Sequence, residues 1–164
     1  MRVWGIVGRN HRARSELIER LAAECAGRGV TVSTLRQAPP DFDVDDAGKD
    51  SHRHRMAGAS EVVLSSRKRW ALMHELRGQD EPGIEELLAQ FSPVDLVLVD
   101  GFAESPHPKI ETLLDGDTET PGGSPDPTVR AIACADARNI EGRPRLPLAD
   151  TRAIADFILT DPSP

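Results

Sequence analysis

Gly8-Arg9-Asn10-His11-Arg12-Ala13-Arg14-Ser15 is the stretch on which the reading of this chain turns. It comes after the apolar run Val3-Trp4-Gly5-Ile6-Val7 and precedes Glu16-Leu17-Ile18, where apolar residues begin to recur at helical spacing. A segment between strand and helix that starts with glycine and ends with serine stands where a phosphate-binding loop, G-x-x-x-x-G-K-S/T, is found. Such a loop aims its backbone N–H groups at phosphate oxygens at a helix N-terminus. Its lysine neutralises phosphate charge and its hydroxyl holds Mg²⁺. Gly8 and Ser15 fit; Ala13 and Arg14 stand in place of the second glycine and the lysine. A Cβ at the glycine position hinders close phosphate approach, and a planar guanidinium is not the equivalent of an ammonium. Glu16 is expected in the first helical turn, where its carboxylate would satisfy the helix dipole and repel a phosphate.

Outward from this loop, strands and helices alternate. Leu17, Ile18, Leu21, Ala22 and Cys25 make one face of a helix over 15–26. Gly27 and Gly29 give the stop signal, and Val30, Val32 and Leu35 form a second strand. Strand–helix–strand in so short a span is a βαβ unit, which predicts a parallel sheet at the centre. A polar loop over 37–50 carries Asp41, Asp43, Asp45, Asp46 and Asp50. After it come a short helix over 51–58 and two strands, 61–65 and 69–76, joined by a tight turn. A helix over 83–91 has Ile84, Leu87, Leu88 and Phe91 inward. Asp95-Leu96-Val97-Leu98-Val99-Asp100 is a nearly continuous apolar run of the kind buried on both faces. Strands are expected at 109–114 and 129–134, a mobile loop over 115–128 rich in Gly, Pro, Asp and Thr, and a last amphipathic helix over 150–159. The expected fold class is α/β, P-loop NTPase-like from the placement of the loop at Gly8–Ser15: a mostly parallel central sheet flanked by helices, with an added β-hairpin, expected as a single domain over 1–164.

Composition sets bounds on function. The chain has 164 residues, 29% charged and 38% hydrophobic, which suits a folded globular domain. Its net charge of −7 argues against a general nucleic-acid binder. No apolar run approaches the roughly 20 residues that span a bilayer. Cys25 and Cys134 lack metal-ligand spacing and read as small buried hydrophobes in a reducing cytoplasm. Positive charge is clustered at Arg9, His11, Arg12 and Arg14, and again at His52–Arg55 and Arg67–Arg69, a pattern suited to a defined anionic ligand or to solvated helix faces.

Val97-Leu98-Val99-Asp100-Gly101 ends in a carboxylate and a glycine, as a Walker B strand does, so Asp100 is a candidate for an Mg²⁺ water opposite Ser15. An ordinary buried strand with a turn has the same pattern. Asp136, after the strand at 129–134, sits where a base-reading carboxylate occurs in P-loop proteins. His74 and His107 read as structural or surface histidines.

Further blocks carry a family resemblance. They are Asp43-Val44-Asp45, Gly48-Lys49-Asp50-Ser51-His52-Arg53-His54-Arg55, Ala57-Gly58-Ala59, Arg69-Trp70-Ala71-Leu72-Met73-His74-Glu75-Leu76, Asp95–Phe102, Pro108-Lys109-Ile110-Glu111 and Ala153–Leu159. In this order they resemble the molybdopterin-guanine dinucleotide biosynthesis protein B (MobB) family from end to end. The resemblance implies a P-loop fold, GTP and Mg²⁺ binding with at most very slow hydrolysis, and a homodimer. It also implies an accessory role beside the nucleotidyltransferase that attaches a guanine nucleotide to molybdopterin. On it, Gly8, Asn10, His11, Arg12, Ala13, Arg14, Ser15, Glu16 and Asp136 become the candidate nucleotide-binding residues, and Ser15 and Asp100 the metal ligands. Molybdopterin is a further candidate ligand. No catalytic residue is assigned.

The chain departs from the family where phosphate is held. The family's loop resembles Gly-x-Lys-Asn-x-Gly-Lys-Thr-Thr-Leu, of which Gly8, Leu17 and the hydroxyl of Ser15 survive. A Lys-His motif at the end of the second strand is Arg36-Gln37 here, and the Walker B glutamate is Asp100. Two readings remain: a GTP-binding accessory protein with weakened nucleotide affinity, or a non-enzymatic pseudo-NTPase adaptor for the cofactor or the nucleotidyltransferase.

Overall fold

A computed structural model describes residues 1–114, 125–135 and 143–162. The chain divides into two compact units, Met1–Gln37 with Ile84–Pro164, and Ala38–Gly83.

The first unit is built on a sheet of six strands in the order β2-β5-β1-β6-β7-β8. These are β1 (Arg2–Val7), β2 (Val32–Arg36), β5 (Leu96–Asp100), β6 (Lys109–Leu113), β7 (Val129–Cys134) and β8 (Arg145–Pro147). Every neighbouring pair runs parallel. β1 lies inside the sheet between β5 and β6, so Gly8 and the loop it opens emerge at the C-terminal end of β1, where ligands of open α/β sheets sit. All of β5 is buried, as its unbroken apolar run anticipated. β8 escaped the sequence reading because three residues carry no usable periodicity.

Side chains alternate across a strand, and here the alternation sorts the core. Trp4 and Ile6 of β1, Leu96 and Leu98 of β5, Ile110 of β6, and Ala131 and Ala133 of β7 join one buried cluster. Leu17, Leu21 and Cys25 come to it from helix α1 (His11–Gly27), and Ile154, Ala155 and Ile158 from helix α4 (Thr151–Thr160). Trp4 meets Phe157 edge-on at 5.8 Å between ring centroids. Arg20 of α1 donates to the Leu148 carbonyl at 2.9 Å and to Thr151 Oγ1 at 3.1 Å, tying α1 to the start of α4. Leu17, Leu21 and Cys25 are fully buried, the two leucines each adding about 1.5–3 kcal/mol as a whole apolar side chain leaves water.

The second unit holds helix α2 (Asp50–Met56) and the antiparallel hairpin of β3 (Glu61–Ser65) and β4 (Trp70–His74). Its polar centre is Arg55, which donates to Asp43, Asp45 and Glu75 at 2.8, 3.3 and 2.7 Å. Asp45 also accepts from Ser51 Oγ at 2.9 Å. The aspartates of the loop are therefore in part an arginine's partners. His74 pairs with Glu61 across the hairpin at 2.8 Å, a structural role. A short helix, α3 (Ile84–Leu88), returns to the first unit, with Ile84, Leu87 and Leu88 half-buried. Most of the loop anticipated over 115–128 lies outside the described residues.

Candidate functional site

The first helix begins earlier than its apolar periodicity suggests. α1 starts at His11, not at residue 15, and Asn10 is its N-cap: the Asn10 side chain accepts from the Ala13 N–H at 3.0 Å. The Arg14 N–H then donates to the Asn10 carbonyl at 3.2 Å, an ordinary helical bond. Residues that would line an open phosphate nest are thus wound into a helical turn, and two of their N–H groups are spent on Asn10. A helix start at His11 also corrects the expectation for Glu16, which lies in the second turn. The first turn of α1 holds no acidic residue, and Glu16 accepts from Arg12 Nε at 2.7 Å on the exposed surface.

Gly8 is retained for a reason separate from phosphate. Its φ is +137°, and a Cβ there would collide with the Thr112 hydroxyl and carbonyl of β6. Thr112 Oγ1 donates to the Val7 carbonyl at 3.1 Å, so this close approach is part of the β1–β6 pairing. Survival of this glycine therefore carries little information about nucleotide binding.

The chemistry gathers on Asp100. Alternation places Asp100 on the same face of β5 as Leu96 and Leu98, the face that α1 covers. Its side chain is 7% exposed, and Arg14 Nε donates to Oδ1 at 2.8 Å while Arg14 Nη1 donates to the Gly8 carbonyl. Arg36 is the register partner of Asp100 across β2 and β5, and its Nε lies 3.8 Å from Oδ2. Arg36 Nη2 lies 2.6 Å from His11 Nε2. A guanidinium has no acceptor, so this ring nitrogen accepts. His11 Nε2 is itself 3.9 Å from Asp100 Oδ2. Arg14, Arg36, His11 and Asp100 thus come together from two strand ends and one helix.

Arg36 was missed as a site residue. Its signal lay in position: it ends the strand that neighbours the Asp100 strand, but which strands neighbour each other is set by tertiary pairing. Gln37 has a local role beside it. Its side chain accepts from the Phe102 N–H at 3.1 Å and its N–H donates to the Asp100 carbonyl at 2.9 Å. A Cβ on Gly101, at φ +107°, would stand 2.6 Å from Gln37 Cβ. The turn after β5 is therefore built around Gln37.

These residues do not fit a divalent cation as arranged. Mg²⁺ demands oxygen ligands in near-octahedral array and is usually held through one or two carboxylates plus substrate phosphates. One oxygen of Asp100 is engaged by Arg14 and the other faces a second guanidinium. Among the described residues no group of three or more His, Cys, Asp or Glu side chains is placed to hold a metal ion. Ser15 is half-buried in α1. Asp136 lies outside the described residues.

On the other face of β1, a cavity of about 340 Å³ opens beside Gly8 and Arg9, with Glu104, Lys109, Glu111 and Asp126 in its wall. Lys109 is buried and donates to the Ser105 carbonyl at 2.5 Å and to Asp126 Oδ2 at 3.3 Å. The Pro108–Glu111 block thus supplies a tethered cation to the end of the sheet that carries the loop. Among the described residues no helix is long and apolar enough to cross a membrane.

Known proteins are similar to this chain in sequence and in fold. Residues 3–135 match the family model described as molybdopterin guanine dinucleotide synthesis protein B. The molybdopterin-guanine dinucleotide biosynthesis adapter protein of Haemophilus influenzae is 35% identical over 156 residues, covering 94% of this chain and 85% of that protein. The adapter protein of the same name from Escherichia coli K12 is 32% identical over 149 residues, covering 89% of this chain and 85% of that protein. Among solved structures, a molybdopterin-guanine biosynthesis protein B superposes with a TM-score of 0.75 at 21% identity, covering 96% of this chain and 97% of the other. Bacillus subtilis MobB superposes with a TM-score of 0.75 at 22% identity, covering 98% and 97%. At such identities the structures speak for the fold alone.

Proposed function

We propose a function from the premise that this chain belongs to the molybdopterin guanine dinucleotide synthesis protein B (MobB) family. It is an adapter in molybdopterin-guanine dinucleotide biosynthesis whose GTP site is weakened, with negligible hydrolysis. Its partner is the nucleotidyltransferase that joins the guanine nucleotide to molybdopterin, and the setting is the cytoplasm. The observation that carries the weakened site is the pairing of Arg14 with Asp100 at 2.8 Å, together with Asn10 capping the turn at Ala13. Phosphate binding at the loop has to reopen a helical turn in which the Ala13 and Arg14 N–H groups are already satisfied. Repair tests this reading. Ala13→Gly, Arg14→Lys and Glu16→Thr combined are expected to strengthen GTP binding at least tenfold, roughly 1.4 kcal/mol, by calorimetric titration. Low-micromolar GTP binding by the natural chain, with no gain on repair, would overturn it.

The second reading, an adaptor that binds the cofactor or the nucleotidyltransferase and no nucleotide, is favoured by the cavity lined by Lys109 and Glu111. Molybdopterin is its candidate occupant, because its pterin ring presents adjacent N–H donors to carboxylates such as those that line this cavity. A repaired loop that folds and still fails to bind GTP would favour this reading.

The adapter acts as a homodimer through the β3–β4 hairpin. Val63 and Leu72 lie opposite each other on one face of it, with Trp70 beside them, and they are 61%, 44% and 69% exposed. An isolated two-stranded hairpin is marginal in water, and covering such a face relieves it of exposed apolar surface.

A further inference from the structure

We propose that the phosphate site of this chain works without a divalent cation, the Arg14 guanidinium standing at Asp100 in the metal's place. The inference rests on the weakened-nucleotide reading and deepens it by naming what neutralises the ligand.

The geometry supports it in three steps. Arg14 is only 19% exposed and Asp100 only 7%, so this ion pair is shielded from solvent and from salt. A guanidinium stays charged in proteins, so no change of pH within the folding range makes room for a metal ion. Arg14 Nε and Nη1 are held by Asp100 and by the Gly8 carbonyl, which fixes the plane of the fork at the mouth of the loop. Arg36 stands on the other side of the same carboxylate, braced against His11. A dication entering between two fixed guanidiniums meets like charge from both and finds its carboxylate occupied. A phosphate-bearing anion meets the opposite field: the Asp100 carboxylate is outweighed by the two arginines that face it, Arg14 and Arg36. The ligand class is therefore a metal-free polyphosphate, its charge met by planar, multidentate donors.

Two measurements on the full chain test this, one needing no nucleotide. In the first, Mn²⁺ is titrated and the free ion followed by electron paramagnetic resonance. The natural chain is expected to leave the free-ion signal unchanged. Arg14→Gln leaves Arg36 beside Asp100 and adds no second carboxylate, so it is likewise expected to leave the signal unchanged. In EDTA it is expected to bind inorganic triphosphate at least tenfold more weakly than the natural chain, circular dichroism showing it folded. A Mn²⁺ site in the natural chain that Asp100→Asn removes overturns the proposal. So does a folded Arg14→Gln protein that binds triphosphate in EDTA as tightly as the natural chain, since Arg14 would then not be what meets the ligand's charge. Should Arg14→Gln not fold, Arg36→Gln, which removes the second guanidinium at Asp100, serves in its place.

In the second, inorganic triphosphate is titrated in EDTA and again in excess Mg²⁺. Affinity that Mg²⁺ leaves unchanged or lowers supports the proposal, and a tenfold or greater gain with Mg²⁺ overturns it. Triphosphate binding without GTP binding would refute the nucleotide reading while leaving the metal-free site standing. No triphosphate binding in either condition overturns the site itself.

Discussion

His107 Nε2 stands 2.6 Å from the point that a Cβ on Gly5 would occupy, so the imidazole lies where only a glycine permits it. The cause is topological. β5 and β6 flank β1 on opposite sides, so the link between them must cross β1, and His107 is at that crossing. Gly5→Ala is expected to destabilise the fold by about 1–3 kcal/mol, because a methyl there forces the crossing segment outward. Gly27→Ala is the control: its Cβ meets no atom of the described residues within 4 Å at the end of α1, and a helical alanine is expected to be neutral or stabilising by up to about 1 kcal/mol. Urea midpoints decide, and equal effects at the two sites would refute the crossing contact.

The same histidine makes stability depend on pH. Burial pushes the His107 pKa down to about 4 from an ordinary 6.5, and the charge of Lys109 adds to the shift while Asp126 opposes it. Neither ring nitrogen has a hydrogen-bond partner among the described residues. A histidine depressed on folding binds fewer protons in the native than in the unfolded state, so stability rises with pH across the window. Its contribution is present in full above pH 6.5 and is lost as pH falls toward 4. Thermal midpoints should decline through that range in the natural chain and decline less in His107→Leu. Parallel curves for the two proteins would show that other groups set the slope.

Asn10→Ala is expected to cost about 1 kcal/mol, the usual worth of an N-cap side chain. Asn10→Asp should cost little, since its carboxylate can accept from the Ala13 N–H as the amide does. Chemical denaturation of the two variants checks this. An Asn10→Ala protein as stable as the natural one would mean that α1 does not start where Asn10 places it.

The proposed homodimer makes its own prediction. Light scattering at micromolar concentration should give about twice 17.8 kDa, and Trp70→Lys with Leu72→Lys should return the mass to that of one chain. A natural protein that scatters as a single chain would leave the exposed face of the hairpin to another partner.

Sequence by itself determined most of the elements and their order, but not the three-residue β8 or the start of α1. A βαβ start, a doubly buried β5 and a hairpin at Glu61–His74 were legible because periods of two and of about 3.6 are written in local residue order. Family membership was legible for the same reason, in contiguous blocks such as Gly48–Arg55. The state of the loop was not. That residues His11–Arg14 coil into α1 goes with the Asn10 cap, whose side chain and carbonyl take the Ala13 and Arg14 N–H groups. The partner of Asp100 was likewise decided only when β2, β5 and α1 were brought together, because Arg14 and Arg36 reach it across 86 and 64 residues of chain. Periodicity reports which face of an element is apolar. Which cation arrives beside a buried carboxylate is a question of register and strand order, and those are settled by the packing of the whole sheet.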